Sequence, residues 1–253
     1  MLNDPTAYIQ FQYAGKTVTK PVSEGVKLDS GRYEFSCAVN SKQMTEPITA
    51  QFFNKNGPVG DAVSKSLAEY VIALKNSTND PALQNLLKAM LNYGAAAQTF
   101  FNYRTTALAN ADLTAEEKVL VACDPTPYKL TRGGSEPGIT LAGATLELES
   151  ETAIYISFRL DGSKSIDQYT FTVNGQKVDT FEENGRHYVV IPNLGAHRLD
   201  EMFTVQCGGI YINYGALSYV KQVYDKADAS QAWRDVVTAL YRYNEATDAY
   251  RNK

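Results

Sequence analysis

Asp161-Gly-Ser-Lys-Ser-Ile-Asp167 sets oxygen-bearing side chains at alternate positions, the spacing with which the front of a calcium loop wraps a hard cation. The sixth position is Ile166, where such a loop needs Gly, and the twelfth is Thr172, where a bidentate Glu closes the shell. A hairpin loop accounts for the segment better, and no metal is expected. Nucleophilic catalysis needs a base, yet the chain holds two histidines, His187 and His197, and no serine lies in a GxSxG frame. Two carboxylates across a cleft would suffice for glycoside hydrolysis. The adjacent pairs are Glu116-Glu117, Glu182-Glu183 and Asp200-Glu201, but neighbours in sequence point apart on a helix or strand, so solvated faces are expected. Gly57-Pro-Val-Gly60 and Arg132-Gly-Gly-Ser135 lack the spacing and the following Lys-Ser/Thr of a phosphate loop. Neither catalysis nor a cofactor is expected.

Cys37, Cys123 and Cys207 form an odd set without CxxC spacing and read as small core hydrophobes rather than zinc ligands, disulfide partners or nucleophiles. Tyrosine is the remaining chemical resource, 17 residues beside one tryptophan. Its rigid apolar face and polar tip suit contact with protein or sugar. Tyr70, Tyr93, Tyr219 and Tyr243 fall on helical stripes and are assigned to packing. Tyr103, Tyr211, Tyr214 and Tyr241 lie outside those stripes and are the candidate ligand-binding residues, together with Arg242.

What positions these residues is an internal duplication. Leu86 to Phe101 (LLKAMLNYGAAAQTFF) returns 150 positions later as Val236 to Arg251 (VVTALYRYNEATDAYR), matching Ala89, Met90, Tyr93, Ala96 and Phe100 to Ala239, Leu240, Tyr243, Ala246 and Tyr250. The register reaches into the strands, where Gly31-Arg32 matches Gly185-Arg186, and Met44, Thr49 and Gln51 match Leu199, Thr204 and Gln206. An α+β chain of two related units follows, each with antiparallel strands in a sheet or sandwich and then a helical hairpin. The first unit spans 1–112 and the second 138–253. Between them 113–137 is a linker with a short helix over Leu113–Ala122 and turn-rich Asp124–Pro127 and Arg132–Gly138.

In the first unit, alternation marks strands at Tyr8–Tyr13, Tyr33–Val39 and Ile48–Phe53. Turn residues Asn54–Gly57 then lead to a helix over Val63–Lys75. Asp80-Pro81 starts the next helix, since the carboxylate can accept from first-turn amides and Pro loses no bond at the first helical position. That helix runs to Tyr103, with Leu83, Leu86, Leu87, Met90, Tyr93, Ala97 and Phe100 buried, and Gly94–Ala97 allows close approach of a neighbour. In the second unit, strands fall at Thr145–Glu149, Ile154–Phe158, Tyr169–Val173, His187–Ile191 and Phe203–Cys207, with hairpin signals at Asn174-Gly175 and Asn184-Gly185. Helices follow over Gly215–Tyr224 and Ser230–Tyr250, with Ser230 standing where Asp80 stood.

The net charge of −4 and scattered basic residues argue against a nucleic-acid surface, and no apolar run nears the roughly 18 residues of a membrane span. The opening MLNDPTAYIQ lacks the regions of a signal peptide, so read literally the chain is not exported; opening in strand sequence equally suits a piece of a longer protein.

LLKAMLNYGAAAQTFFNY, with Thr106–Leu113 after it and Lys42–Thr49 before the helices, resembles a repeat module of large secreted surface proteins of gut Firmicutes. At the level of architecture alone, the duplicated chain is also similar to the immunoglobulin-binding, superantigen-like surface proteins of gut commensals, whose tandem domains bind antibody variable regions outside the antigen site; no binding motif carries residues across. The resemblance implies a non-catalytic, secreted or cell-wall-attached binding module within a larger multidomain chain, with a host protein, immunoglobulin first, as partner. The alternative is a carbohydrate-binding or spacer module, with glycan as partner and an exposed aromatic platform on the sheet. Arg242, Asn244 and Glu245 replace Asn92, Gly94 and Ala95, so the two units are not expected to share one role.

Overall fold

The computed structural model describes residues 4–253, an α+β chain in which antiparallel sheets and helical hairpins alternate. The first copy comprises β1 (Tyr8–Tyr13), β2 (Lys16–Pro21), β3 (Val26–Lys27), β4 (Tyr33–Glu34), β5 (Ile48–Asn54), β6 (Gly57–Lys65), α1 (Leu67–Ser77) and α2 (Pro81–Phe100). The second begins with β7 (Thr131–Gly133), β8 (Ile139–Glu147), β9 (Ala153–Leu160), β10 (Phe171–Val173) and β11 (Gln176–Val178). It continues through β12 (Phe181–Glu183), β13 (Arg186–Ile191), β14 (Phe203–Cys207), β15 (Ile210–Tyr214), α3 (Ala216–Asp225) and α4 (Gln231–Arg251).

The duplication is topological. Sheet order β2-β1-β5-β6 in the first copy repeats as β11-β10-β14-β15 in the second, with β7 added at the edge. The hairpin β3–β4 corresponds to β12–β13. Asn174-Gly175 and Asn184-Gly185 make the tight turns their sequence signals, all four residues adopting positive φ as a two-residue hairpin turn requires. The second copy also carries β8 and β9, so β12-β13-β9-β8 forms a second sheet facing the first across a core. Ile154, Ile156 and Phe158 of β9 point inward with no exposure, and Phe158 meets Phe171 of the opposite sheet edge to face at 5.0 Å.

Cap chemistry sets the helix starts. Asp80 Oδ1 accepts from Ala82 N (3.0 Å) and Leu83 N (3.3 Å), and Ser230 Oγ accepts from Trp233 N (3.2 Å). Helix α1 begins later than its periodicity suggests, because Ala50, Thr49 and Ile48 of β5 pair with Val63, Ser64 and Lys65 and hold them in β6. Asn54–Gly57 is accordingly a hairpin turn, and Ser66 and Glu69 start α1 as a capping box. In each copy a short 3-10 turn precedes a buried anchor, Met44 or Leu199, whose carbonyl accepts from the incoming helix at Ala68 N (2.8 Å) or Leu217 N (3.2 Å).

The duplicated helices pack on each other. At one end Lys253 pairs with Asp80, at the other Phe100 lies 6.3 Å from Trp233, and midway Tyr93 stacks on Tyr243 at 5.8 Å and 22°. Helices α2 and α4 are therefore antiparallel, and equivalent tyrosines meet near a pseudo-two-fold axis, as in an isologous dimer. Gly94 sits where a Cβ would strike Met44 Sδ and crowd Ala109, so the small-residue run gives close approach, as its sequence suggests.

The linker departs from expectation. Leu113–Ala122 forms no helix; a single turn is closed by Thr114 and Glu117, and the chain then runs without regular structure. Two buried polar residues of α2 hold the preceding loop instead. Gln98 donates to Thr45 Oγ1 and Ala107 O (both 3.0 Å) and accepts from Ala109 N (2.7 Å), while Asn92 donates to Glu117 O (2.8 Å). This seats Ala109 and Leu113 on Leu87, Leu91 and Val71. Tyr33–Val39 is also less regular than its alternation implies, since Tyr33–Glu34 alone pairs, with β3.

In a double-mutant cycle, Tyr93→Ala should cost about 3–5 kcal/mol by urea unfolding, with a coupling to Tyr243→Ala of about 0.5–1.5 kcal/mol. A coupling near zero would remove the tyrosine pair from the helix contact. Burial pushes the Tyr93 phenol up to about 12. The unfolded chain releases that proton near pH ~10, so stability is full below that and should fall as pH rises toward 12, a loss that Tyr93→Phe diminishes.

Candidate functional site

The five residues singled out for contact do not converge. Tyr214 is wholly buried, in phase with Ile210 and Ile212 on the inner face of β15, with its hydroxyl on Gln222 Oε1 (3.1 Å). Tyr241 is 8% exposed and donates to Asp124 O (3.2 Å); it stands opposite Leu91, a fully buried position of the first copy. Both are packing residues, and strand phase or the repeat register would have shown it. Arg242 is half-buried and ties α4 to the linker through Val121 O (3.0 Å) and Ala122 O.

Tyr103 donates to Glu46 Oε1 at 2.5 Å, and Arg104 pairs with the other oxygen at 2.9 Å. The Glu46 bond, with burial, raises the Tyr103 phenol above its ordinary range. Lys42 lies over the Phe101 and Tyr103 rings at 5.1 and 5.6 Å and reaches across to Glu149 (2.6 Å), so this cluster fastens one copy to the other. Tyr211 alone behaves as a free contact, 40% exposed on the outer face of β15 beside a ladder of Thr204, Asn213 and Thr131 hydroxyls and amides. Conversely Tyr70, assigned to packing, is 55% exposed, whereas Tyr93, Tyr219 and Tyr243 are buried or half-buried.

The chemical candidates resolve as surface and packing features. Glu117 bonds Lys75 (3.0 Å), which holds its carboxyl below the usual range, Glu201 pairs with Arg198 (2.9 Å), and Glu182 and Glu183 face solvent. Asp161–Asp167 is not a hairpin loop, because β9 and β10 lie in different sheets; it is a crossover containing a 3-10 turn. Cys207 is fully buried and its thiol is pushed up to about 11, while Cys37 and Cys123 are half-buried and raised by burial. Such thiols stay protonated at neutral pH and make poor nucleophiles.

Three aromatics do converge, on the solvent face of the second sheet of the second copy. The Asn184-Gly185 turn sets Phe181 directly opposite Tyr188, and β9 brings Tyr155 in diagonally, opposite Val190. Phe181 and Tyr188 stack at 5.2 Å and 16°, and Tyr155 stands edge-on to both at 6.3 and 6.2 Å. Phe181 is 43% exposed, and Tyr155 and Tyr188 are half-exposed. Arg186 and Glu183 lie on the same face as neighbours in register, with exposed Arg159 on β9. All are out of phase with the buried Ile154, Ile156, Phe158, Val189 and Ile191. The first copy has Val26 and Glu34 at the positions of Phe181 and Tyr188, so this face belongs to one copy.

No protein-family model, curated protein or solved structure matches this chain.

If Tyr103 is a structural tie, Tyr103→Phe should lower stability by about 1–2 kcal/mol in urea unfolding, because Glu46 loses a donor in a half-buried site. Unchanged stability would return Tyr103 to the list of free contacts.

Proposed function

We propose that this chain is a non-catalytic binding module, displayed on a bacterial surface within a larger protein, that recognises a host protein. Immunoglobulin is the named ligand, from the architectural analogy between this duplicated chain and the tandem domains of immunoglobulin-binding surface proteins. The observation that supports a protein ligand is the Phe181–Tyr188–Tyr155 cluster with Arg159 and Arg186 beside it. Tyr and Arg around a rigid aromatic centre are the residues that dominate protein interfaces, since they bury large area at small loss of side-chain freedom. Position adds to this, because the cluster lies where the duplicated scaffold differs from itself.

Ring orientation favours protein over sugar at this face. Phe181 and Tyr188 cover each other's faces, and Tyr155 presents an edge, so no pair of coplanar rings lies open for a pyranose to stack upon. The glycan alternative has Tyr211 in its favour, one exposed ring beside polar side chains on the other sheet.

The reading is tested by interferometry of the intact chain against polyclonal IgA, IgM and Fab. Binding at or below about 1 µM is expected, with Tyr188→Ser and Phe181→Ser each weakening it by about 30-fold or more. Absence of binding at that concentration would sink immunoglobulin as the ligand, and binding untouched by either substitution would remove the aromatic face. A glycan array reading that responds to Tyr211→Ala would instead support the alternative.

A further inference from the structure

Charge borders the aromatic face. One step beyond the His187↔Phe158 pair, Arg186 of β13 comes opposite Arg159 of β9 on the solvent side, and Glu183 and Thr140 continue that row on β12 and β8. The next row on the same side runs Phe181, Tyr188, Ser157 and Gly143. Two guanidiniums therefore stand side by side along one border of the ring cluster.

Nothing in the chain neutralises them. Among the described residues the arginines paired with carboxylates are Arg104, Arg198 and Arg242. Arg159 and Arg186 are exposed and pair with no acid, although Glu183 stands opposite Arg186. Like charges directly opposite on neighbouring strands are unfavourable. The chain as a whole carries a net charge of −4, so this positive pair is a local inversion.

Ring surface and charge are continuous. Ser157 points to the solvent side, in phase with Tyr155 and Arg159, yet it is 5% exposed, with its Oγ donating to Gly143 O (3.3 Å). Gly143 has no side chain to cover it, so the cover comes from the larger neighbours Tyr155, Tyr188 and Arg159. The apolar stem of Arg159 thereby carries the ring surface up to its guanidinium.

One chemistry complements this arrangement. A carboxylate accepts parallel N–H bonds from a guanidinium fork, and its charge relieves the repulsion between the two arginines. We propose that the aromatic face recognises an acidic protein epitope, with an Asp or Glu carboxylate seated between Arg159 and Arg186 and an adjoining large apolar side chain packed on Tyr155 and Tyr188. This rests on the reading of that face as a protein-binding surface and adds the chemistry of its partner. The rings supply contact area, and the arginine pair sets the sign of charge, since a basic epitope would meet two unpaired cations.

The probe is an array of short peptides, each placing one Glu beside Trp, Tyr, Phe or Leu, with counterparts in which Gln or Lys replaces that Glu. The intact chain is the binder. Glu peptides should bind about tenfold or more tightly than Gln peptides, and Lys peptides weakest. That preference should shrink between about 50 and 300 mM NaCl and vanish in a chain carrying both Arg159→Gln and Arg186→Gln, whereas Tyr188→Ser should weaken Glu and Gln peptides alike. Glu-selective peptides alongside a silent Fab would keep the acidic epitope and discard immunoglobulin. Equal binding of Glu and Gln peptides, lost with Tyr188→Ser, would overturn the acidic epitope and leave the protein-binding face standing. So would Fab that binds through Phe181 and Tyr188 but ignores the double arginine substitution. Absence of any Tyr188-dependent binding at about 100 µM would overturn both readings. Arginine-dependent capture of sialylated glycans in preference to Glu peptides would assign the pair to a sugar acid and exclude a protein carboxylate.

Discussion

Two helices of common sequence lie antiparallel, with Tyr93 stacked on Tyr243, and most of the molecule is hung from that contact. Tyr93, Ala96 and Ala97 of α2 belong to the core that otherwise consists of second-copy residues, so the first copy's helix forms part of that core's wall. The first copy's separate core is small, with Met44, Val71, Leu87 and Leu91 closed by Ala109 and Leu113 from the following loop. Removing the helix contact would expose apolar surface on both sides at once, and stability lost that way scales with the area returned to water. The two halves therefore share an apolar contact through α2 and α4, although each repeats the other's sheet order.

Small residues on α2 let other parts of the first copy close against it, and polar residues give each copy its own surroundings. Gly94 and the alanines after it let Met44 and Ala109 come close. At the matching position of α4, Asn244 is buried and donates to Ala196 O (2.8 Å), pinning the second copy's 3-10 turn. In α2 that anchoring duty falls to Asn92 and Gln98, which hold the loop that leads into the linker. Buried amides work here because each has its partners; an unsatisfied one would cost about 1–3 kcal/mol. The copies have thus diverged in what their helices fasten while keeping the apolar faces that fold them.

The sheets carry the same lesson outward. Residues pointing into the sandwich alternate along the strands and are aliphatic or aromatic, with Cys207 and the buried His187 among them, and those pointing out are free to differ. On that free side the second copy gathers Phe181, Tyr188 and Tyr155, where the first has Val26 and Glu34. Exposed aromatics in mutual contact restrict one another's orientation, and here the three rings stack and meet edge to face.

Read alone, the sequence determined what is local. Asp80-Pro81 and Ser230 start their helices, Asn174-Gly175 and Asn184-Gly185 make their turns, and the repeat register places Met44 and Leu199 as equivalent anchors. Each rests on side chains acting within a few residues of their own backbone, or on one copy vouching for the other. Errors arose where a distant partner decided. Val63–Lys65 has helical spacing but is held in a strand by β5, and Leu113–Ala122 is denied a helix, whereas Tyr214 and Tyr241 were legible as packing from strand phase and repeat register. The aromatic face was half legible, since the Asn184-Gly185 turn alone sets Phe181 opposite Tyr188, but Tyr155 joins them through a pairing between residues more than 30 positions apart. Tertiary structure decided which faces close and which stay open, because burial depends on what arrives from elsewhere in the chain, and spacing within a segment carries no record of that.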